Sequence, residues 1–271
     1  AASSSGTLRV VRLLMLRFPL RTSAGTPLIL LPALALGTIF LAACGADTTP
    51  VEIRFGIADA DAATVRSLQF YVHAIELIDE HGKPEPFRFA AAAPWQNESV
   101  ALIDLAGDSA TPRHASIQGT VAGAGQKYSG IRLTVGVPFD LNHANPLTAT
   151  PPLDRGEMFW NWQSGHKFLR ADLAVADREW AFHVGSTGCS SASALRPPAQ
   201  ACAQPNEMRI ELDGDPLRGV VRLRLQPLVA AAQSANYVVC TGDYQVDPAC
   251  KDAYAATGLQ PGVAQSLWML Q

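Results

Sequence analysis

The stretch Met158-Phe-Trp-Asn-Trp-Gln-Ser-Gly-His-Lys-Phe-Leu-Arg170 is the most informative part of this chain for its fold. Trp160 and Trp162 are two positions apart, so on an extended strand both rings lie on one face, while Asn161 and Gln163 lie on the other. Two large rings on one face require a surface to pack against. The spacing therefore predicts a strand that is covered on its tryptophan face.

Potential functional side chains are concentrated around this strand. The segment before it reads Gly136-Val-Pro-Phe-Asp-Leu-Asn-His143, and the segment after it reads Phe182-His-Val-Gly-Ser-Thr-Gly-Cys189. The three segments hold two of the five tryptophans and three of the six histidines, His143, His166 and His183. Imidazoles and oxidisable rings at this density indicate a site. The alternative is a strand whose tryptophans fill a core and whose histidines cap loops.

Composition limits the class of protein. The chain has 271 residues, a formal net charge of −3 and a pI near 6.1. A nucleic-acid-binding protein needs lysine and arginine clustered on one face, and no such cluster is visible here. The length suits a single all-β domain, which commonly has about 200–250 residues, preceded by a leader.

The N-terminal residues predict a bacterial lipoprotein signal. Residues 1–43 contain an arginine-rich start and then an apolar run, and Leu41-Ala-Ala-Cys44 places small residues before a cysteine. We predict lipidation of Cys44, a tether over 44–50 and one β domain over 51–271. A transmembrane anchor is the alternative, but the run is near the minimum of about 17 residues and contains two prolines. Gly45 follows Cys44, which favours the outer over the inner membrane and a periplasmic location.

The remaining cysteines predict disulfides. Four cysteines in an exported domain allow three pairings. The two local pairings, Cys189 with Cys202 and Cys240 with Cys250, close short loops and are preferred, and each would stabilise the fold by roughly 2–4 kcal/mol. A zinc or copper thiolate site is the alternative, but the chain contains no CxxC pair.

Alternation of apolar and polar residues predicts an all-β fold. The clearest alternating segments are Val51–Phe55, Leu68–Ile78, Tyr128–Val135, Leu169–Val175, Trp180–Val184, Met208–Asp213 and Gly219–Leu225. Two alanine-rich pieces near the C-terminus, Leu228–Ser234 and Cys250–Thr257, permit helix. About ten short strands with few helices predict an antiparallel β-sandwich or barrel-like domain with long loops and a short disulfide-stapled C-terminal segment.

Four histidines are candidate metal ligands. On a regular strand, His73 shares a face with Tyr71, Ile75 and Leu77, so it is expected among apolar neighbours. Such a histidine is more often part of a core than a ligand, yet neutral imidazoles suit copper. The candidate ligands are His73, His143, His166 and His183. None is spaced as HxH or HExxH, so a site requires that the fold bring distant segments together.

The order of motifs resembles the MbnP-like family, the methanobactin-associated periplasmic proteins also called metallo-mystery-pair four-Cys proteins. The resemblance covers roughly 51–271 and rests on GVPFDLNH, MFWNWQSGHKFLR, FHVGSTGC and the segment Cys202–Asn206. Leu68–His73 also resembles the family's R-F-Y-V-H segment without its arginine, and Cys240–Cys250 resembles its closing cysteine loop. Gly165-His166 stands where many relatives have Gly-Tyr. The histidine either adds a metal ligand or only takes the place of the tyrosine phenol.

The resemblance implies a function. MbnP-like proteins are associated with periplasmic copper handling and with a MauG-like di-haem peroxidase partner that oxidises a tryptophan to kynurenine. Trp95, Trp160 and Trp162 match tryptophan-bearing motifs of the family. The resemblance therefore implies copper as the bound metal, a di-haem partner, a membrane attachment through lipid, and no catalytic residues in this chain.

Two other functional classes are considered. The first is a structural β-sandwich lipoprotein that docks a partner through its tryptophans and binds no metal. The second is a hydrolase, but Ser186 is not in a GxSxG elbow and no alternation of strand and helix predicts an α/β-hydrolase.

Overall fold

The computed structural model describes residues 48–59, 61–106, 113–123, 125–235, 239–241 and 250–271. The predicted signal peptide at 1–43, the lipidation site Cys44 and the first part of the predicted tether lie outside these ranges. Residues 45–271 form one compact unit. Among the described residues, no helix combines the length and the apolar character needed to cross a bilayer.

Strands dominate the described residues, which confirms the predicted all-β class. The strands are β1 (Thr48–Ile57), β2 (Thr64–Asp79), β3 (Pro84–Pro86), β4 (Arg88–Phe89), β5 (Ala101–Asp104), β6 (Ser116–Ala122), β7 (Tyr128–Val135), β8 (Phe159–Asn161), β9 (Gly165–Val175), β10 (Arg178–Gly185), β11 (Met208–Asp213), β12 (Val221–Leu223), β13 (Val239–Cys240) and β14 (Trp268–Leu270). The helices are α1 (Phe139–Asn142), α2 (Gln226–Ser234) and α3 (Lys251–Thr257), with a 3₁₀ turn at Gly156–Met158.

The strands form two curled sheets. The smaller sheet has the order β14-β12-β1-β6-β4, and the larger has the path β11-β7-β2-β9-β10-β13, with β3 and β5 also paired to β2 and β8 paired to β9. Most pairs are antiparallel, as predicted. Two pairs of described strands are parallel, β1 with β12 and β10 with β13, and the segments between their members are long enough for the crossover that a parallel pair requires.

Aromatic side chains join the two sheets. Phe70 on β2 packs edge-on against Phe55 on β1, with ring centroids 5.7 Å apart, and against Trp268 on β14 at 4.9 Å. The interior face of β9 and β10 continues this core, where Trp180 stacks on Phe182 and Phe182 meets Tyr254 of α3. Burial of these rings is the main stabilising term of the sandwich.

Helices α2 and α3 and the second disulfide form the C-terminal segment. Helix α3 lies within the predicted piece Cys250–Thr257, and α2 covers the predicted piece Leu228–Ser234 but begins two residues earlier, at Gln226. Asp59 accepts hydrogen bonds from the backbone N–H groups of Leu225 and Gln226, so its carboxylate caps the start of α2. The disulfides join Cys189 to Cys202 and Cys240 to Cys250, which confirms both predicted pairings.

Candidate functional site

Helix α1 positions His143, the last residue of the GVPFDLNH motif. Pro138 precedes this single turn, and His143 ends it. Asn142 fixes the turn in place, because its Oδ1 accepts a 2.7 Å hydrogen bond from the backbone N–H of His166 and its Nδ2 donates to Ser186 Oγ at 3.2 Å. The imidazole of His143 is consequently held in the interior, with 7% of the residue exposed.

The contacts of His143 select one tautomer. Nδ1 lies 3.3 Å from the backbone oxygen of Trp162, so it carries the proton and donates to that carbonyl. Nε2 then carries the lone pair, which accepts a 3.3 Å hydrogen bond from Asn142 Nδ2 and lies 3.7 Å from Cys202 Sγ. Burial lowers the pKa of His143, which keeps the ring neutral. Histidines that bind a metal through one ring nitrogen commonly donate the proton of the other to a backbone carbonyl, as His143 does here.

His143 belongs to a His/Cys group that could hold a metal ion. One donor atom each from His143, Cys189 and Cys202 lie within 4.8 Å of one another, and the part of the chain that the structure describes contains no other group of three such residues. The two sulfur atoms are bonded to each other, so the imidazole is the strong ligand of the group in this oxidation state. The geometry does not define which metal would bind.

Trp160 lies next to this group. A cavity of about 450 Å³ is bordered by Trp160, Ser186 and Cys189, together with Thr241 of the C-terminal segment. Gly185 allows the ring to approach, because a Cβ there would lie 2.5 Å from the Trp160 ring and 2.6 Å from the backbone oxygen of His166. The indole and the disulfide therefore share one opening.

Trp162 does not share a strand face with Trp160, and this part of the strand prediction was wrong. Strand β8 ends at Asn161, and Trp162 begins the turn into β9. Asn161 Oδ1 accepts a 2.8 Å hydrogen bond from the backbone N–H of Ser164, which stabilises the turn. Trp162 contributes its carbonyl to His143, and its ring meets Phe159 edge-on at 6.3 Å.

His166 is fully buried, and backbone carbonyls occupy both of its ring nitrogens. Nδ1 lies 2.8 Å from the oxygen of Asn142, and Nε2 lies 3.1 Å from the oxygen of Leu153. Burial lowers the pKa of His166, although the two carbonyls act in the opposite direction. Its position ties the His143 turn to β9, and neither nitrogen faces the His/Cys group.

His183 forms a pair with a carboxylate on the outer face of the larger sheet. Its Nε2 lies 2.7 Å from Asp172 Oδ1, and Arg170 contacts the other oxygen of the same carboxylate at 2.6 Å. Burial alone would raise the pKa of Asp172, but the hydrogen bond from His183 and the charges of His183 and Arg170 lower it overall. The His183 ring is thus engaged by Asp172.

His73 has polar neighbours, which corrects the prediction of an apolar face. Ala74 adopts a φ of 49°, and the pairing of β2 with β7 shifts between His73 and Glu76, so a β-bulge places His73 on the same face as Glu76 and not on that of Ile75. Nε2 lies 3.2 Å from Glu207 Oε1, off the direction of a hydrogen bond, and has no hydrogen-bond partner among the described residues. His73 and Glu207 border a groove of about 650 Å³.

Trp95 lies between a cation and an imidazole. The guanidinium carbon of Arg155 lies 4.8 Å from its ring centroid, and His114 is stacked on the ring at 5.0 Å with an angle of 5° between the planes. Burial lowers the pKa of His114. The third candidate tryptophan therefore has a charged environment that differs from that of Trp160.

The four candidate histidines do not form one cluster. His143 lies in the His/Cys group, whereas His73, His166 and His183 each face other partners. Sequence reasoning singled out His143 and the disulfide separately but missed that they touch, and it missed Asn142 as the residue that holds both His143 and His166. The DLNH tetrapeptide was the available signal for Asn142, since an Asn at the end of a short turn commonly bonds nearby backbone.

Comparisons with known proteins agree with this architecture. The MbnP family model matches residues 37–240. The solved structure of MbnP from Methylosinus trichosporium is similar, with a TM-score of 0.66 and 25% sequence identity, over 83% of this chain and 98% of that chain. No curated protein gives a significant sequence match. The family match spans most of the chain and includes the His143 turn, strand β8 and the first disulfide; the chain belongs to the MbnP family.

Proposed function

We propose that this protein is a copper-binding lipoprotein of the periplasm and the substrate of a MauG-like di-haem peroxidase that oxidises one of its tryptophans to kynurenine. The observation that carries the proposal is the environment of His143. Its imidazole is neutral, oriented through Nδ1, and directs the Nε2 lone pair towards sulfur. Copper is the cargo in this proposal, and the protein has no catalytic residues of its own.

The residues around His143 fit a soft metal ion better than a hard one. Imidazole and sulfur suit copper, whereas magnesium and calcium prefer several oxygen ligands. The carboxylates nearest to candidate histidines, Asp172 and Glu207, contact His183 and His73 and are not part of the His143 group. His143 would supply the first ligand, and a second strong ligand would have to be made or exposed next to it.

Oxidation of Trp160 would make such a ligand. Using two equivalents of peroxide, each reduced to water, the partner would cleave the bond between the two pyrrole carbons of the indole and give N-formylkynurenine. Hydrolysis by one water would then release C2 as formate, which leaves an aniline nitrogen and a ketone oxygen. Trp160 is the best placed of the three candidates because it borders the same cavity as Cys189. Trp162 contributes its backbone to His143, and Trp95 lies beside Arg155.

Titration with copper tests the metal site. We expect His143→Ala to weaken Cu(I) binding by at least tenfold, and the exposed His81 provides a matched control as His81→Ala. His73→Ala and His183→Ala test the other two predicted ligands in the same assay. Equal affinity in the parent and in His143→Ala would overturn the ligand assignment and favour a docking module that binds no metal.

Intact-mass measurement tests the tryptophan. We expect co-expression with a di-haem peroxidase to change the mass of the parent protein by the difference between one tryptophan and one kynurenine. Trp160→Phe should abolish this change, while Trp162→Phe and Trp95→Phe should retain it. If only Trp95→Phe abolished the mass change, the modified residue would be Trp95 and not Trp160.

Fractionation tests the lipid anchor. In the proposal, lipid on Cys44 holds the protein at the outer membrane. We expect the parent to partition into detergent and Cys44→Ser to remain in the aqueous phase. If both proteins remained in the aqueous phase, the proposed lipid anchor at Cys44 would be rejected, and the assignment of the β domain would not change.

A further inference from the structure

We infer that the Cys189–Cys202 disulfide is a redox gate, and that its reduction converts the His143 group into a three-ligand Cu(I) site made of one imidazole and two thiolates. This inference deepens the proposed copper-binding function and rests on it for the choice of copper. It assigns the two cysteines a role beyond stapling the loop between them. Among the described residues, the group that could hold a metal ion includes neither Cys240 nor Cys250.

The first support is a distance. His143 Nε2 lies 3.7 Å from Cys202 Sγ. An imidazole nitrogen and a thiolate bound to one metal ion, at bond lengths of about 2.0 and 2.3 Å, lie roughly 3.5–3.7 Å apart in tetrahedral or trigonal geometry. The observed separation is therefore already that of two ligands of one ion. The bond between the sulfurs prevents Cys202 from binding as a thiolate.

The second support is the direction of the imidazole. Its proton is fixed on Nδ1 by the Trp162 carbonyl, so Nε2 faces the sulfur as an acceptor. The amide of Asn142 now approaches this lone pair at 3.3 Å, but it also donates to Ser186 Oγ. Nε2 can thus exchange its long contact with Asn142 for a metal, while the amide keeps its hydrogen bond to Ser186 Oγ.

The third support is the contrast in burial of the two sulfur residues. Cys202 is 6% exposed, whereas Cys189 is partly exposed and borders the cavity beside Trp160. A reductant can therefore reach Cys189 first. Thiol–disulfide exchange proceeds by attack on the accessible sulfur, and the protected one is the leaving group.

The chemistry of the step balances with a dithiol as the reductant. Two electrons and two protons pass from the dithiol to the disulfide, which breaks the S–S bond, gives two cysteine thiols and closes the reductant's own disulfide. Cu(I) binding then displaces the two thiol protons to solvent. A d¹⁰ cation with two thiolates and one imidazole is a favoured combination, so Zn(II) is the competing occupant.

The test compares oxidised and reduced protein. The full chain carries Cys44→Ser in every variant, so that the four domain cysteines are the only thiols. The protein is reduced with dithiothreitol, freed of reductant without oxygen, and titrated with Cu(I) against a chromogenic chelator. We expect reduction to raise the Cu(I) affinity at least tenfold, and His143→Ala or Cys202→Ser to remove that gain. Cys240→Ser/Cys250→Ser is the matched control and should keep it.

X-ray absorption at the copper edge gives a readout that does not depend on variants. We expect the reduced, Cu(I)-loaded parent to show copper–sulfur scattering that is missing from the oxidised, loaded parent. Zn(II) added in competition distinguishes the two cations, and displacement of copper by equimolar Zn(II) would overturn the choice of Cu(I). Equal affinity before and after reduction, or a gain that survives in His143→Ala, would overturn the gate.

The two proposals fail separately. If oxidised protein binds Cu(I) through His143 and reduction changes nothing, the proposed function stands and the gate is rejected. If copper binds only after reduction, the gate stands and the oxidised site is rejected.

Discussion

The guanidinium carbon of Arg155 lies 4.8 Å from the centre of the Trp95 ring, on which the His114 imidazole is stacked. One-electron oxidation turns an indole into a radical cation, and a positive charge at this distance opposes that change by about 1 kcal/mol or more, depending on solvent screening. We expect Arg155→Met to increase oxidation of Trp95 about fivefold in protein treated with the peroxidase and peroxide. Arg155→Lys keeps the positive charge, so we expect it to leave the oxidation of Trp95 unchanged.

Peptide mass spectrometry measures this effect, with the oxidation of Trp160 in the same sample as the internal reference. Equal Trp95 oxidation in the methionine and lysine variants would show that the cation does not protect the ring.

Gly185 permits the contact between strand β10 and the Trp160 ring. A methyl group there would meet both the ring and the backbone oxygen of His166, and the backbone cannot move aside. We expect Gly185→Ala to lower the free energy of unfolding by roughly 1–3 kcal/mol and to alter tryptophan fluorescence. Urea unfolding measures the first effect. Gly156→Ala is the control, because nothing lies within 4 Å of a Cβ at that position.

The bulge at Ala74 stores backbone strain. An alanine at a φ of 49° occupies the left-handed region, which costs an L-residue roughly 1–2 kcal/mol relative to glycine. We expect Ala74→Gly to leave the free energy of unfolding unchanged or to raise it by up to about 1 kcal/mol. Ala171→Gly in the regular part of β9 should lower it. Similar losses in both variants would mean that the bulge is not strained.

The cap that Asp59 provides to helix α2 should be measurable as stability. Its carboxylate accepts from two N–H groups that otherwise lack partners at the helix start. We expect Asp59→Ala to lower the free energy of unfolding by about 1 kcal/mol. Asp61→Ala removes an exposed carboxylate nearby and serves as the control. A cost that is the same in both would indicate a general charge effect.

Acid should destabilise the fold through its buried histidines. Burial lowers the pKa values of His114, His143 and His166 below their ordinary value of 6.5. The unfolded chain therefore binds more protons below about pH 6.5, so the stability present above that value is lost as the pH falls through the folded pKa values. We expect the free energy of unfolding to decrease from about pH 7.5 to pH 5.5, with a smaller decrease in His166→Gln. If the free energy of unfolding of the parent did not change between these pH values, the predicted loss of stability in acid would be wrong.

Strands with clean alternation could be predicted residue by residue. Tyr128–Val135 and Met208–Asp213 are β7 and β11 as predicted, because one face of each is buried and the other is polar. Strand β6 is not among the alternating segments that the sequence predicts, and Gly119, a poor strand former, stands at its centre. In the structure, Gly119 is where the Phe87 ring and the Arg88 carbonyl pack against the backbone, so glycine there serves close packing and not a turn.

The candidate site was predictable only in part. His143, Trp160 and the Cys189–Cys202 pair could each be named from composition and order. Their adjacency could not, because it depends on a helical turn, a strand end and a loop that are far apart in the chain. His73 was misjudged for a different reason: a single-residue bulge changes which face a side chain occupies, and an alanine gives no sign of one.

The position of β1 in the smaller sheet constrains when the protein can fold. β1 is the first described strand, yet one of its edges pairs with β12, a strand close to the C-terminal end of the chain. The other edge of β12 pairs with β14 at Trp268–Leu270. The smaller sheet therefore cannot be completed during synthesis until the segment Trp268–Leu270 has been added to the chain.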